Sequence, residues 1–550
     1  MREHRFVRVT WRRFFARFAI MLMSLSVSLS LVSRAFGGTA QQPRPTSDQA
    51  RPRIEPSLFE NLEWRNIGPA IMGGRTTDIE GVPGNPNIVY VATASGGLWK
   101  TTNGGITWTP IFDRQGTISI GDIAIDPRNP DVIWVGTGES NTRNSVSFGD
   151  GVYKSTDGGK TWRHLGLRDT RHISRILIHP QNPDIVYVGA VGHAFGPNEE
   201  RGVFMTTDGG QTWQKVLYID AQHGVSDMDI DPRNPNILYA AMWHFERKPW
   251  THRSGSEKGG VFKSVDGGRT WRKLERGLPK LLGRIGVKVA PSNPQVVYVI
   301  AESKEGTLFR SEDWGETFRE VSREVRIVSR GFYYSDLRVD PWDENRVYAI
   351  ASSLFVSIDG GRTFRRISAR THGDYHTLWI DPTNPYRMWQ GQDGGIAVSY
   401  DRGETWEYVN NIPLGQFYQI HADNRLPFYW VSGGLQDNGT WVGPSRTREP
   451  AGILNDDWIM VSFGDGFHVV THPDDPNLFL SESQGGNLFR TDLRTREQQN
   501  VSPQARRNDG GPVGELKYRF NWNAPIALSP HDKNTVYYGG NVVFKSTDFG

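Results

Sequence analysis

The chain has 550 residues, more than one ordinary core organises, so several domains or a repeat array are expected. It has no cysteine, which excludes disulfides and thiolate metal sites, while 61 glycines, 32 prolines and 19 tryptophans suit many turns between aromatic strands. The net charge of +3 misleads, because residues 1–40 carry seven arginines and one glutamate; the remainder is about −3 and has no general attraction for nucleic acid.

Arg2, Arg5, Arg8, Arg12, Arg13 and Arg17 precede an apolar run from Phe18 to Val32 and small residues around Ala35 to Ala40. That layout predicts a signal peptide over 1–40, a secreted or periplasmic protein, and no membrane span after cleavage. Residues 41–58 are polar and proline-rich and read as a flexible linker. Leu62 to Pro69 reads as a lone strand completing a terminal sheet.

Two motifs then recur in phase. The first, Ser/Thr-x-Asp-x-Gly-x-Thr-Trp/Phe, stands at Ser155 to Trp162, with near-copies at Thr101, Thr206, Ser264, Ser311, Ser357 and Ser399. A further copy starts at Ser546 and breaks off at Gly550, which reads as a chain that continues. A short Asp carboxylate bonds the amides of its own turn, Gly permits positive φ, and the aromatic ring is buried by the next strand. The Asp of each box is therefore a structural group. The second motif is an Asn-Pro turn, as in Asp126-Pro127-Arg128-Asn129-Pro130 and Asp231 to Pro235, followed by runs such as Val132-Ile133-Trp134-Val135. Such runs are strands. One period holds four antiparallel strands in roughly fifty residues, which is the pattern of β-propeller blades.

The fold expected is all-β: a seven-bladed propeller over 59–413, then the first three blades of a second over 414–550. A single ten-bladed ring is the alternative. The Asn-Pro turns and the boxes fall on one face, so the long loops between second and third strands lie on the other, the usual place for binding. Candidate ligand-binding residues on that face are Arg75, Glu139, Arg175, His193, Arg284, Tyr334 and His376. Such a ring could grip an anionic or hydroxyl-rich ligand, or its members could pair with one another. Candidate catalytic carboxylates are Asp437, in Gln436-Asp437-Asn438-Gly439, and Asp465, in Phe463-Gly464-Asp465-Gly466-Phe467. No cofactor is implied, and His372-Gly373-Asp374-Tyr375-His376 lacks a third fixed metal ligand.

With these repeats in view, the chain resembles secreted bacterial proteins of the sortilin-like, Asp-box propeller group. That resemblance implies a receptor for peptides or proteins, although the cysteine-rich module of the group is not in this sequence. The rhythm is also similar to the xyloglucan-cleaving hydrolase family, which implies two seven-bladed propellers with the substrate cleft between them. The family's first catalytic Asp lies in an Arg-Thr-Asp-x-Gly-Gly-like stretch. Here Ala92-Thr93-Ala94-Ser95-Gly96-Gly97 puts Ala94 at that place. Its partner would be Asp437 or Asp465. Sialidases share the boxes, but Phe364-Arg365-Arg366-Ile367 lacks their proline. The leading expectation is a non-catalytic scaffold that binds a protein or glycan through its loop face. The alternative is a glycoside hydrolase on a β-glucan-type polysaccharide.

Overall fold

At the box Ser155 to Trp162, Asp157 accepts the Thr161 amide at 2.9 Å and the Thr161 hydroxyl at 2.6 Å. Ser155 Oγ accepts the Gly159 amide at 2.9 Å, and Gly158 and Gly159 take φ of 72° and 90°. The turn is thus closed by its own side chains. The Trp162 indole then reaches back to the Ile111 carbonyl of the preceding sheet at 2.7 Å. One local motif therefore makes a hairpin and also fastens it to its neighbour.

The computed structural model describes residues 55–62, 64–143, 146–248, 250–503 and 513–550. The expected signal peptide and most of the expected linker lie outside the described residues. The chain divides into two units, 1–65 and 66–550. Described residues of the first include one 3-10 turn, Pro56–Phe59. Among the described residues no helix is long and apolar enough to cross a membrane.

The second unit is a succession of antiparallel sheets, each built from consecutive strands. Blades one to seven begin with Thr76–Gly81, Ile120–Ile125, Ile173–Ile178, His223–Ile230, Ile285–Val289, Asp336–Asp340 and Tyr375–Ile380. Each of these first strands packs against the first strand of the next blade, and the seventh against the first. Thr377 Oγ1 donates to Asp78 at 3.1 Å, and Thr76 Oγ1 to the Gly395 carbonyl at 3.2 Å, across that last junction. The ring closes at seven blades, not ten. Three further sheets follow, starting at Phe417–Ala422, Gly466–Thr471 and Ile526–Leu528.

Between blades the core is aliphatic and aromatic, as where Trp134, Ile176, Val188 and Phe204 pack together. The seams are also stitched by carboxylates. Asp78 accepts the Ile123 amide at 3.0 Å, Asp122 the Ile176 amide at 2.6 Å, and Asp227 the Val287 amide at 2.9 Å. Each is an Asp on one first strand capping the amide of the next.

Residues 66–75 form no strand. Blade seven is completed by its own Glu407–Tyr408, so the stretch is not needed as a closing strand. It runs instead over the sheets, with Gly73 donating to the Gly394 carbonyl at 2.9 Å and the Tyr408 hydroxyl donating to the Ile71 carbonyl at 2.6 Å. The two faces are as the repeats imply. Asn-Pro turns and boxes lie at one end of each blade, and the longer loops, such as the one leading to the added strand Thr251–Ser254 of blade four, lie at the other.

Candidate functional site

The loop ends of blades seven and eight and the start of the ninth sheet bring three carboxylates together. Asp393 follows the strand Met388–Gln392, and Asp437 comes two residues after Trp430–Leu435. Both sit in the turn from second to third strand, in Gln392-Asp393-Gly394-Gly395 and Gln436-Asp437-Asn438-Gly439. Asp465 precedes Gly466–Thr471. Its Oδ1 accepts the Asp437 amide at 2.9 Å, and its own amide donates to Gln484 Oε1 at 2.6 Å. Asn438 Nδ2 bridges to the Asp393 carbonyl at 2.9 Å. Asp437 takes φ of +59°, a left-handed conformation that Asp tolerates better than most residues.

Arg143, from a long loop of blade two, donates to Asp437 at 3.1 Å and to the Tyr333 hydroxyl at 3.2 Å. Tyr333 in turn donates to Asp393 at 2.6 Å, and His376 Nε2 lies 2.8 Å from the other oxygen of Asp393. Asp393 is 1% exposed and Asp437 is 18% exposed at the side chain. Asp437 is thus the carboxyl of this pair that solvent reaches. Burial, then the neighbouring Asp393 carboxylate, push the Asp437 carboxyl up to about 7, against the pull of Arg143. Burial also works to raise Asp393, but His376, Arg75 and the Tyr333 hydroxyl overcome it and hold Asp393 well below the usual carboxylate range. Asp465 is raised by burial. Two neighbouring acids are thereby driven apart, one ionised and one still partly protonated near neutrality, which is how a pair of carboxyls divides acid and base roles.

The other sequence-derived candidates separate into three groups. Arg75 ion-pairs with Glu139, with Nη2 to Oε2 at 3.1 Å, and both side chains are fully buried. Arg75 also donates to Tyr333 at 2.8 Å, so the pair and His376 lie behind the carboxylates as support. Arg175 fills the channel, donating to Asp227 and Asp122 at 3.0 Å each and to Asp336 at 3.5 Å. Arg284 donates to Asn141 at 2.9 Å, and the Tyr334 hydroxyl donates to Asp374 at 3.0 Å. His193 is elsewhere, in a loop whose carbonyl accepts from Arg201 at 2.6 Å. The channel cations therefore face protein partners.

Arg143, Tyr333 and Asp393 were not among the candidates read from sequence. Asp393 had a signal, because its Gln-Asp-x-Gly repeats the one at Asp437. Arg143 and Tyr333 had none, since they lie in loops outside the repeat. Ala94 lies in the corresponding loop of blade one, buried, with its amide on the Arg75 carbonyl at 3.0 Å.

The BNR/Asp-box repeat family matches residues 204–215, the box of blade three. An oligoxyloglucan-reducing end-specific xyloglucanase of Emericella nidulans is 21% identical over 466 residues, which is 78% of this chain and 52% of that protein. A xyloglucanase of a Paenibacillus species is 22% identical over 63% of this chain and 35% of its own length. The chain thus spans about half, or less, of the curated relatives it matches. Among solved structures, the GH74 xyloglucanase of Xanthomonas campestris superposes with a TM-score of 0.63 at 15% identity, covering 89% of this chain and 74% of that one. The GH74 enzyme of Niastella koreensis gives 0.51 at 16% identity, covering 88% and 78%. The chain is an all-β propeller protein with an Asp-box repeat, similar in sequence and fold to xyloglucanases.

Proposed function

We propose that this chain is the propeller portion of a secreted glycoside hydrolase acting on a β-glucan-type polysaccharide, with Asp437 as the acid. The observation that carries this reading is the pairing of Asp437 with Asp393 around Arg143, at 3.1 and 3.8 Å, which leaves a partly exposed carboxyl pushed up to about 7 and so still partly protonated at neutral pH. A glycosidic oxygen needs such a proton as its bond breaks. Asp393, buried and ionised, supplies negative charge beside the sugar cation that develops. Asp465 holds the Asp437 backbone in its left-handed turn. Phe463, 73% exposed and next to Gly464-Asp465, offers an apolar face to a sugar ring. The similarity to xyloglucanases supports a branched β-glucan as the first substrate to try.

One observation favours a second reading, in which the same face binds polysaccharide without cutting it. Ala94 stands where the resemblance to the xyloglucan-cleaving family implies a carboxylate, and Asp393 and Asp465 are 1% and 3% exposed, so neither stands open to an attacking water. Incubation with xyloglucan, mixed-linkage glucan and cellulose, followed by chromatography of the products, separates the two. Shorter oligosaccharides support hydrolysis. Retention on xyloglucan in affinity electrophoresis with no product supports binding alone.

A further inference from the structure

The geometry points to a second reactive centre, on the loop face of blade four, where Ser256, His223 and Asp220 form a nucleophile–base–acid relay that cleaves carboxylic esters. It is independent of the glycan reading. His223 opens the innermost strand of its blade, His223–Ile230, and Ser256 lies in the loop between the second and third strands. The Ser256 hydroxyl is 2.6 Å from His223 Nε2, and His223 Nδ1 is 2.6 Å from Asp220 Oδ1. A carboxylate accepts from Nδ1–H, which leaves Nε2 as the acceptor for the serine proton. That is the order of contacts by which a neutral imidazole activates a hydroxyl.

The surroundings fit the role. His223 is 2% exposed and so fixed in place, whereas Ser256 is only part-buried. Asp220 is further tied by the Gln222 amide at 2.9 Å, which points its carboxylate at the ring. The Gly259 amide donates to Ser256 Oγ at 3.3 Å, a backbone donor beside the nucleophile. The groups facing His223 are Asp220, His244, whose ring packs on it at 5.1 Å, and Lys258, which pairs with Asp220 at 3.2 Å. Burial, with His244 and Lys258, outweighs Asp220 and keeps the imidazole below its ordinary value, hence neutral and basic at pH 7.

In the reaction, Ser256 Oγ bonds to the acyl carbon while its proton passes to Nε2. The tetrahedral intermediate breaks its bond to the alcohol oxygen, which leaves with that proton. A water then loses a proton to Nε2 and attacks the acyl-serine; the acid departs and the serine regains the proton. The chemical class of substrate is an O-acyl ester, with p-nitrophenyl acetate as the probe.

The test uses the full chain and two readouts. A fluorophosphonate should add to wild-type protein at one site, with loss of fluoride, and digestion should place the added mass on the peptide containing Ser256. Hydrolysis of p-nitrophenyl acetate should rise with pH along a single titration below the usual imidazole value. It should fall about 100-fold or more in Ser256→Ala and in Asp220→Asn. No adduct on that peptide in the wild-type protein overturns the proposal without recourse to any variant. So does a Ser256→Ala protein that hydrolyses the ester at the wild-type rate.

Discussion

The Tyr333 hydroxyl donates a hydrogen bond to Asp393 at 2.6 Å while accepting one from Arg75 at 2.8 Å, so this phenol links the buried Arg75–Glu139 pair to the solvent-edge carboxyls. Support and candidate chemistry are one hydrogen-bonded structure, and perturbing either end should be felt at the other.

The first consequence concerns protonation. Burial and the Asp393 charge raise Asp437, and Arg143 lowers it. Asp393→Asn should therefore move the Asp437 titration downward from about 7, and Arg143→Gln should move it upward. Carboxyl carbon NMR on the two variants reads both signs. Shifts in the same direction would show that the Asp393 contact does not set the value.

The second concerns stability. Arg75 and Glu139 are both fully buried at the side chain, so removing one leaves the other without its counter-charge. Arg75→Met should cost roughly 3–5 kcal/mol in urea unfolding. Arg75→Met with Glu139→Leu should recover much of it, because an apolar pair replaces an orphaned charge.

A third prediction rests on Glu482, on the strand Leu478–Ser483, which is 0% exposed and pushed up to about 9 by burial. Its folded value lies above its unfolded one, so its contribution is full below about pH 4 and is lost as pH rises toward 9. Glu482→Gln copies the protonated form. The melting temperature of the variant should match wild type at pH 4.5 and exceed it increasingly up to pH 8.5. A constant difference across that range would contradict the assignment.

A fourth tests the box as a fold device. Gly159 has φ of +90°, and an added Cβ would lie 2.6 Å from Ile111 Cδ1. Gly159→Ala should destabilise by about 1–3 kcal/mol through backbone strain and contact together. Thr156→Ala, at an exposed position of the same turn, should be near neutral. Thermal melts of the two check this.

The parts of the molecule that were legible in sequence are those where cause and effect are local. Asp157 is bonded to residues four positions away, so its box reads directly from the chain. The Asn-Pro turns did the same for strand pairs, and their joint period gave the blades. The seven-fold closure rests on Thr377 meeting Asp78, 299 positions away, and no local pattern encodes that. Asp437 and Asp465 were singled out by their glycine neighbours, yet their meeting was not foreseen. Arg143 reaches Asp437 across 294 positions from an aperiodic loop. Ser256 and His223 are 33 positions apart, with nothing in either neighbourhood to mark them. Residues 66–75, read in part as a strand, lost that role because blade seven already has four strands of its own.

The proton at Asp437 is the centre of the proposed reaction. Release of reducing ends from xyloglucan should be measured across pH 4–9 for wild type and for Asp437→Asn. Turnover by the wild type should fall above about pH 7 as the acid ionises, and the variant should lose about 100-fold or more at every pH. Equal release by the two proteins would contradict the assignment of Asp437 as the acid.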